Sequence, residues 1–203
     1  MFRDILNDKI GNLIAYLATE IQPLSLTKLL KLLFIIDERA MLKSGAPITW
    51  LEYKAWGEGP VARDIYDEVK FDIKTVIGNK SLSLNEFISV TKEFNANRNQ
   101  EEVNLLPKKY SLAEFSRFEK ELISGVIAEY GKLPAARLIE LLHSKDSLWN
   151  KTVVRNNLQY DFAAYGKKSD VTIHLGELIQ EDDFLLMASK SAFESLRFQE
   201  QLS

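Results

Sequence analysis

Between Leu29 and Ile36 every position except Lys31 is apolar. A helix that is apolar nearly all round is a buried one, and this run falls short of the about 20 residues a membrane span needs. Ser25 is placed to cap its start, because a serine hydroxyl accepts an orphan backbone N–H. Gly45 stops the helix and Pro47 prevents it from resuming. The pattern predicts a central core helix over residues 25–42. Upstream, Ile10, Leu13, Ile14, Leu17 and Ile21 recur at helical spacing, so residues 8–21 form an amphipathic helix that Gln22-Pro23 breaks. A short turn then pairs the two helices.

Further along, residues 46–56 have no clean period. Gly57 and Gly59 bracket Glu58, and Pro60 follows. Glycine permits backbone angles that other residues resist, and proline suits the first position of a helix. Asp64, Asp67 and Glu68 match the positive end of that helix, with Val61, Ile65 and Val69 as its apolar face. Residues 56–60 therefore read as a rigid turn delivered onto a helix N-terminus. A polar stretch with a Gly78-Asn79 turn signal comes next. Residues 87–94 and 103–106 are rich in β-formers around a polar loop at 95–100, which predicts a β-hairpin. Ser111-Leu112-Ala113-Glu114 fits a capping box, flanked by Tyr110 and Phe115 as a hydrophobic staple. The helix it opens runs through Phe118, Leu122, Ile123 and Val126 to Gly131. Pro134 starts a shorter helix that closes near His143. From Trp149 to Asp170 the pattern weakens to loop, with Tyr160, Phe162 and Tyr165 scattered in it. Residues 171–175 form a short strand, and Glu181-Asp182-Asp183 precedes a last helix. The fold class is mainly α, α+β in detail, with a helical core and one small hairpin. Residues 1–150 form one domain, and residues 151–203 a C-terminal extension packed on the same core.

Composition narrows the function. The chain has 203 residues, 46% of them apolar and 27% charged, the proportions of an ordinary globular domain. It has no cysteine, which excludes disulfides, thiol nucleophiles and thiolate metal sites and suits the cytoplasm. Met1-Phe2-Arg3-Asp4 opens an amphipathic helix and not a signal peptide. A net charge of −3 argues against non-specific nucleic-acid binding. No phosphate loop, dinucleotide fingerprint, H-E-x-x-H motif or nucleophile elbow is present. His143 and His174 lie far apart, and Glu181-Asp182-Asp183 reads as acids at a helix N-terminus. No enzyme, metal or cofactor is expected, because catalysis needs convergent titratable groups. A hydrolase remains an option only if a strongly perturbed carboxylate sits in a deep pocket.

Three separated pieces together resemble the Panacea domain, the SocA-like antitoxin family of phage and prophage proteins. They are Lys28-Leu29-Leu30-Lys31 through Phe34, then Tyr53 through Val61 with Trp56, Gly57, Gly59 and Pro60, then Leu138 through His143 followed by Trp149. The resemblance covers residues 8–149. It implies an antitoxin of a two-gene toxin–antitoxin system that neutralises a cognate toxin, encoded by the adjacent gene, through protein–protein contact. The alternative within the family is an adaptor that hands a partner protein to a protease. No helix-turn-helix accompanies the domain, so operator binding is not expected.

Trp56, Glu58 and Val61, with Tyr53, are the first candidates for a partner surface, since an aromatic on a glycine-hinged turn makes a good anchor. Trp56 equally suits packing on the core helix. Tyr160 and Tyr165 are a second candidate, as a binding loop or as rings clamping a loop to the core. His143 and Trp149 are expected to be structural. Lys28 and Lys31 are expected on a solvated edge with their stems buried.

Overall fold

The computed structural model describes residues 2–73, 76–77, 80–81, 83–96, 99–164 and 167–201. Helix α1 (Phe2–Glu20) leads through the two-residue strand β1 (Leu24–Ser25) into helix α2 (Leu26–Ser44). Helix α2 begins and ends where its sequence dictates. Ser25 accepts the Lys28 N–H on its hydroxyl at 3.3 Å. Gly45 adopts φ 76°, and its N–H reaches the Met41 carbonyl at 2.9 Å, the left-handed cap that glycine takes without a Cβ penalty. Leu29, Leu32, Leu33, Phe34 and Ile36 on α2 are wholly buried.

Strands β2 (Tyr53–Trp56) and β3 (Gly59–Ala62) form a hairpin whose tip is Gly57-Glu58, and helix α3 (Arg63–Phe71) follows directly. Strands β4 (Val76–Ile77) and β5 (Lys80–Ser81) pair with each other. Strands β6 (Ile88–Asn95) and β7 (Gln100–Pro107) form the predicted hairpin, and β1 adds to the other side of β7. Helices α4 (Arg117–Tyr130), α5 (Ala135–Leu142), α6 (Leu148–Arg155) and α7 (Leu158–Ala164) come next. Strand β8 (Thr172–Ile173) then pairs with β2, giving a sheet of order β3–β2–β8, and helix α8 (Asp183–Gln201) ends the fold. The molecule is α+β and mainly helical, as its pattern predicts. No helix among the described residues is long and apolar enough to cross a membrane.

Three expectations are corrected. Pro60 lies in strand β3, and the helix starts at Arg63. The strand tolerates it because Ala55, its cross-strand neighbour, donates its N–H to Val171 instead, at 2.9 Å. In an antiparallel pair the groups of facing residues point at each other or both point away. The N–H that proline lacks is thus one the β2–β3 ladder does not use. The capping box sits five residues later than Ser111. Ser116 and Glu119 satisfy each other's backbone N–H groups at 3.2 and 2.8 Å, and Phe115 just before them is buried. Residues 149–164 are largely helical and not loop: Ser147 caps α6 by accepting the Asn150 N–H at 3.1 Å, and Tyr160 lies on α7. Gly78, Asn79, Asn97, Arg98, Tyr165 and Gly166 lie outside the described residues.

Candidate functional site

The three separated motif pieces meet in one place, and each meets the next through a defined contact. Lys31 comes from the middle of α2 and is 1% exposed. Its ammonium donates to the Pro60 carbonyl at 2.9 Å, the group that β3 turns away from β2. Gly59 makes room for it. With φ 104°, Gly59 occupies backbone space that L side chains rarely adopt, and a Cβ there would lie 3.1 Å from Lys31 Cε. Burial lowers the Lys31 pKa to about 7, against an opposing pull from the Glu58 carboxylate. Lys28, one turn earlier, is also buried and donates to the Gly131 carbonyl at 2.6 Å, beyond the C-terminal end of α4. The expectation of a solvated edge is therefore wrong for Lys31, whereas the Lys28 stem is covered and its amine borders the open surface. Each amine answers a backbone carbonyl.

The third piece closes the arrangement. Trp149 on α6 donates its indole N–H to the Trp56 carbonyl at 2.9 Å. The His143 ring, at the C-terminal cap of α5, stacks on Trp149 with centroids 3.8 Å apart and planes 2° from parallel. His143 Nε2 is buried and has no hydrogen-bond partner. Its pKa is lowered, first by burial and then by the Lys31 charge, with Glu58 opposing, so the ring is held neutral. Trp149 packs against the β2–β3 hairpin here, and His143, stacked on it, also borders the cleft.

Above this floor opens a cleft of about 830 Å³. Thr27 and Leu30 of α2, Glu58 at the hairpin tip, Tyr66 of α3, Ile139 of α5 and His143 line it. A side recess of about 230 Å³ shares Thr27, Leu30, Glu58, Tyr66 and Lys167 with the cleft, and is closed by Trp56, Lys31, Val61 and Lys168. Glu58 is more than half exposed and pairs with Lys167 at 2.7 Å.

Residues 167–171 lie along the open side of β2. Gly57 donates to the Lys167 carbonyl at 2.6 Å and the Trp56 indole N–H to the Ser169 carbonyl at 3.1 Å. The Ser169 hydroxyl donates to the Ala55 carbonyl at 2.7 Å. Trp56 is accordingly half-buried and held at its edge, with its ring set against Tyr66 at 4.8 Å and 74°.

Of the candidate contact residues, Glu58 and Trp56 line this surface, and Val61, though only 4% exposed, lines the side recess. Tyr53 does not belong to it, being 1% exposed. Tyr53 points inward because its hydroxyl donates to Asp37 Oδ2 at 2.7 Å and its ring meets Phe34 edge-on at 5.1 Å. Tyr160 is 70% exposed but lies on α7 and does not line the cleft. Asp37, which no sequence motif marks, is the most buried carboxyl of this region. Its Oδ1 accepts the Ile48 and Thr49 N–H groups at 2.8 and 2.9 Å, and its Oδ2 accepts both the Thr49 and Tyr53 hydroxyls. Burial raises its pKa and these bonds oppose the rise. Its acceptors are engaged within the core, so the perturbation belongs to packing. Tyr66 and the Lys167-Lys168 pair also escape sequence reasoning. Their partners lie far along the chain, where no periodicity or spacing points.

The family model of the antitoxin SocA-like Panacea domain matches residues 29–150, the span that carries all three motif pieces apart from Lys28. No curated protein and no solved structure matches the chain. The match covers more than half of the sequence, and the chain belongs to the SocA-like antitoxin family through its Panacea domain.

Proposed function

We propose that this protein is a non-catalytic antitoxin of a two-gene system, which neutralises the product of the adjacent gene by binding it at the cleft beside the β2–β3 tip. The family supplies the class of activity. The observation that carries the location is the convergence of its separated motif pieces beneath one open cleft. The titratable groups there have internal duties. Lys31 holds Pro60, Glu58 pairs with Lys167, and the His143 Nε2 is shut away from solvent. That arrangement favours a rigid, preformed surface over a reactive one, since a catalytic acid or base must reach a substrate proton. A preformed surface also lowers the ordering cost of association.

The test is co-expression with the open reading frame beside the gene. The expected result is restored growth and a stable one-to-one complex. Glu58→Arg, at an exposed position, abolishes the complex and leaves the melting temperature within a few degrees of the parent. A neighbour protein that is harmless and unbound overturns the reading. Rescue accompanied by protease-dependent loss of the neighbour protein overturns sequestration in favour of an adaptor.

A further inference from the structure

The side recess already holds a cation. The ammonium of Lys168 lies 4.7 Å from the centroid of the Trp56 ring and 5.1 Å from that of Tyr66. Both distances fall inside the roughly 6 Å over which an aromatic face attracts a cation. The two rings stand nearly perpendicular, so they present two faces to one charge. They are also fixed in place. The Trp56 indole N–H is bonded to Ser169, its carbonyl receives Trp149, and Tyr66 is backed by Phe71 at 5.8 Å and 75°. Lys168 is exposed, and among the described residues it has no carboxylate within ion-pair distance. Glu58, the acid lining the recess, is taken by Lys167. The ammonium is therefore held by the rings, with no ion pair to break when it leaves.

We propose that the Trp56–Tyr66 recess is a receptor for a lysine or arginine side chain of the bound partner, and that Lys168 fills it as an internal ligand in the free protein. The recess is continuous with the main cleft, sharing Thr27, Leu30, Glu58 and Tyr66 with it. A side chain of a partner seated in the cleft has a direct path to it. Glu58 lies on that path, paired with Lys167. Arginine fits best, because a flat guanidinium covers an aromatic face more fully than a compact ammonium. This assignment rests on the reading that a protein partner occupies the cleft.

The experiment separates the two. Choline is titrated into the full chain while the indole N–H resonance of Trp56 is followed by NMR. In Lys168→Ala choline shifts that resonance saturably, and the parent protein binds about fivefold more weakly because its own lysine competes. Tyr66→Ala on the Lys168→Ala background removes the second face and abolishes the shift. The neutral isostere of choline, with carbon in place of nitrogen, leaves the resonance unmoved. No shift in Lys168→Ala, or an equal shift with the neutral isostere, overturns the site. In the second arm, Lys168→Ala binds the adjacent-gene product about fivefold more tightly than the parent. Choline binding with an unchanged partner affinity overturns the assignment to a partner's side chain and leaves the antitoxin reading standing. Choline binding with no partner complex at all overturns that reading and not the cation site.

Discussion

Lys31 is an amine placed where water does not reach, and its energetics follow from that position. Lysine is almost never fully buried unless paired, and here the partner is a neutral carbonyl, that of Pro60. Desolvation acts only against the protonated form, which is why the amine titrates near 7 when folded against 10.5 for the free side chain. The consequence for stability has a definite sign. Between these two values the unfolded chain binds the proton and the folded chain sheds it, so stability rises as pH rises through that window. Below pH 7 both states carry the proton, and the folded state bears the whole cost of burying it. Lys31→Met removes the titration. The parent is therefore expected to gain on the variant as pH increases from 7 to 10, by up to about 1.4 kcal/mol per pH unit. Urea unfolding of both proteins at several pH values measures the difference, in which all other titrating groups cancel. A difference that does not change with pH would show that the amine is solvated.

At the scale of elements, the β2–β3 hairpin fixes the geometry of the site, and its weakest point is Gly59. A side chain there meets a backbone conformation few residues adopt and the stem of a buried lysine. Gly59→Ala is expected to cost about 1–3 kcal/mol, read as a lower denaturation midpoint with an unchanged slope. An unaffected midpoint would mean that Lys31 moves aside freely. The glycine was legible in the sequence, but the strand around it was not. Pro60 suggests a helix start by its fixed φ, and only the pairing of Ala55 with Val171 makes it harmless in β3. A similar ambiguity misplaced the start of α4. Ser111 with Glu114 and Ser116 with Glu119 both fit one cap pattern, and the choice falls to burial of Phe115 and to Asn12, whose side chain takes the Ser111 N–H at 2.7 Å. Helix α2, the β6–β7 hairpin and the Gly131 helix end were readable because their signals are local and continuous. Helix α6 carried a signal too, in the Ser147 cap ahead of Leu148, Trp149, Thr152 and Val153, which are all buried. The contact of Trp149 with Trp56 joins residues 93 positions apart. No local pattern encodes such a contact, so the motif pieces were visible in the sequence while their meeting point was not.

At the scale of the whole molecule, the family match ends at residue 150, and the packing does not. Val153, Leu158, Ile173 and Ile179 are each at most 5% exposed, and the first three belong to the same apolar cluster as α2. Strand β8 and the residues before it complete the sheet on the open side of β2. Without them the Ala55 and Gly57 N–H groups lose the Val171 and Lys167 carbonyls, and the Trp56 indole loses Ser169. Those donors then turn to water, and the larger cost is the apolar core surface laid bare, at about 25 cal/mol per Å². A domain of this size has only about 5–15 kcal/mol of stability. Helix α8 differs. Its side chains from Asp183 to Phe198 are half-buried or exposed, with Phe184 78% and Met187 69% exposed. It approaches the end of α2 where a Cβ on Gly45 would fall 2.6 Å from the Leu185 carbonyl. We propose that residues 1–150 do not form an independent folding unit, whereas a chain ending at residue 182 does. The expected outcome is that the shorter fragment lacks a cooperative thermal transition and native near-ultraviolet circular dichroism, and that the longer one retains both with a lowered midpoint. A cooperative melt of the 1–150 fragment would sink the idea, because it would mean that the Panacea domain holds its hairpin without the residues that cover Trp56.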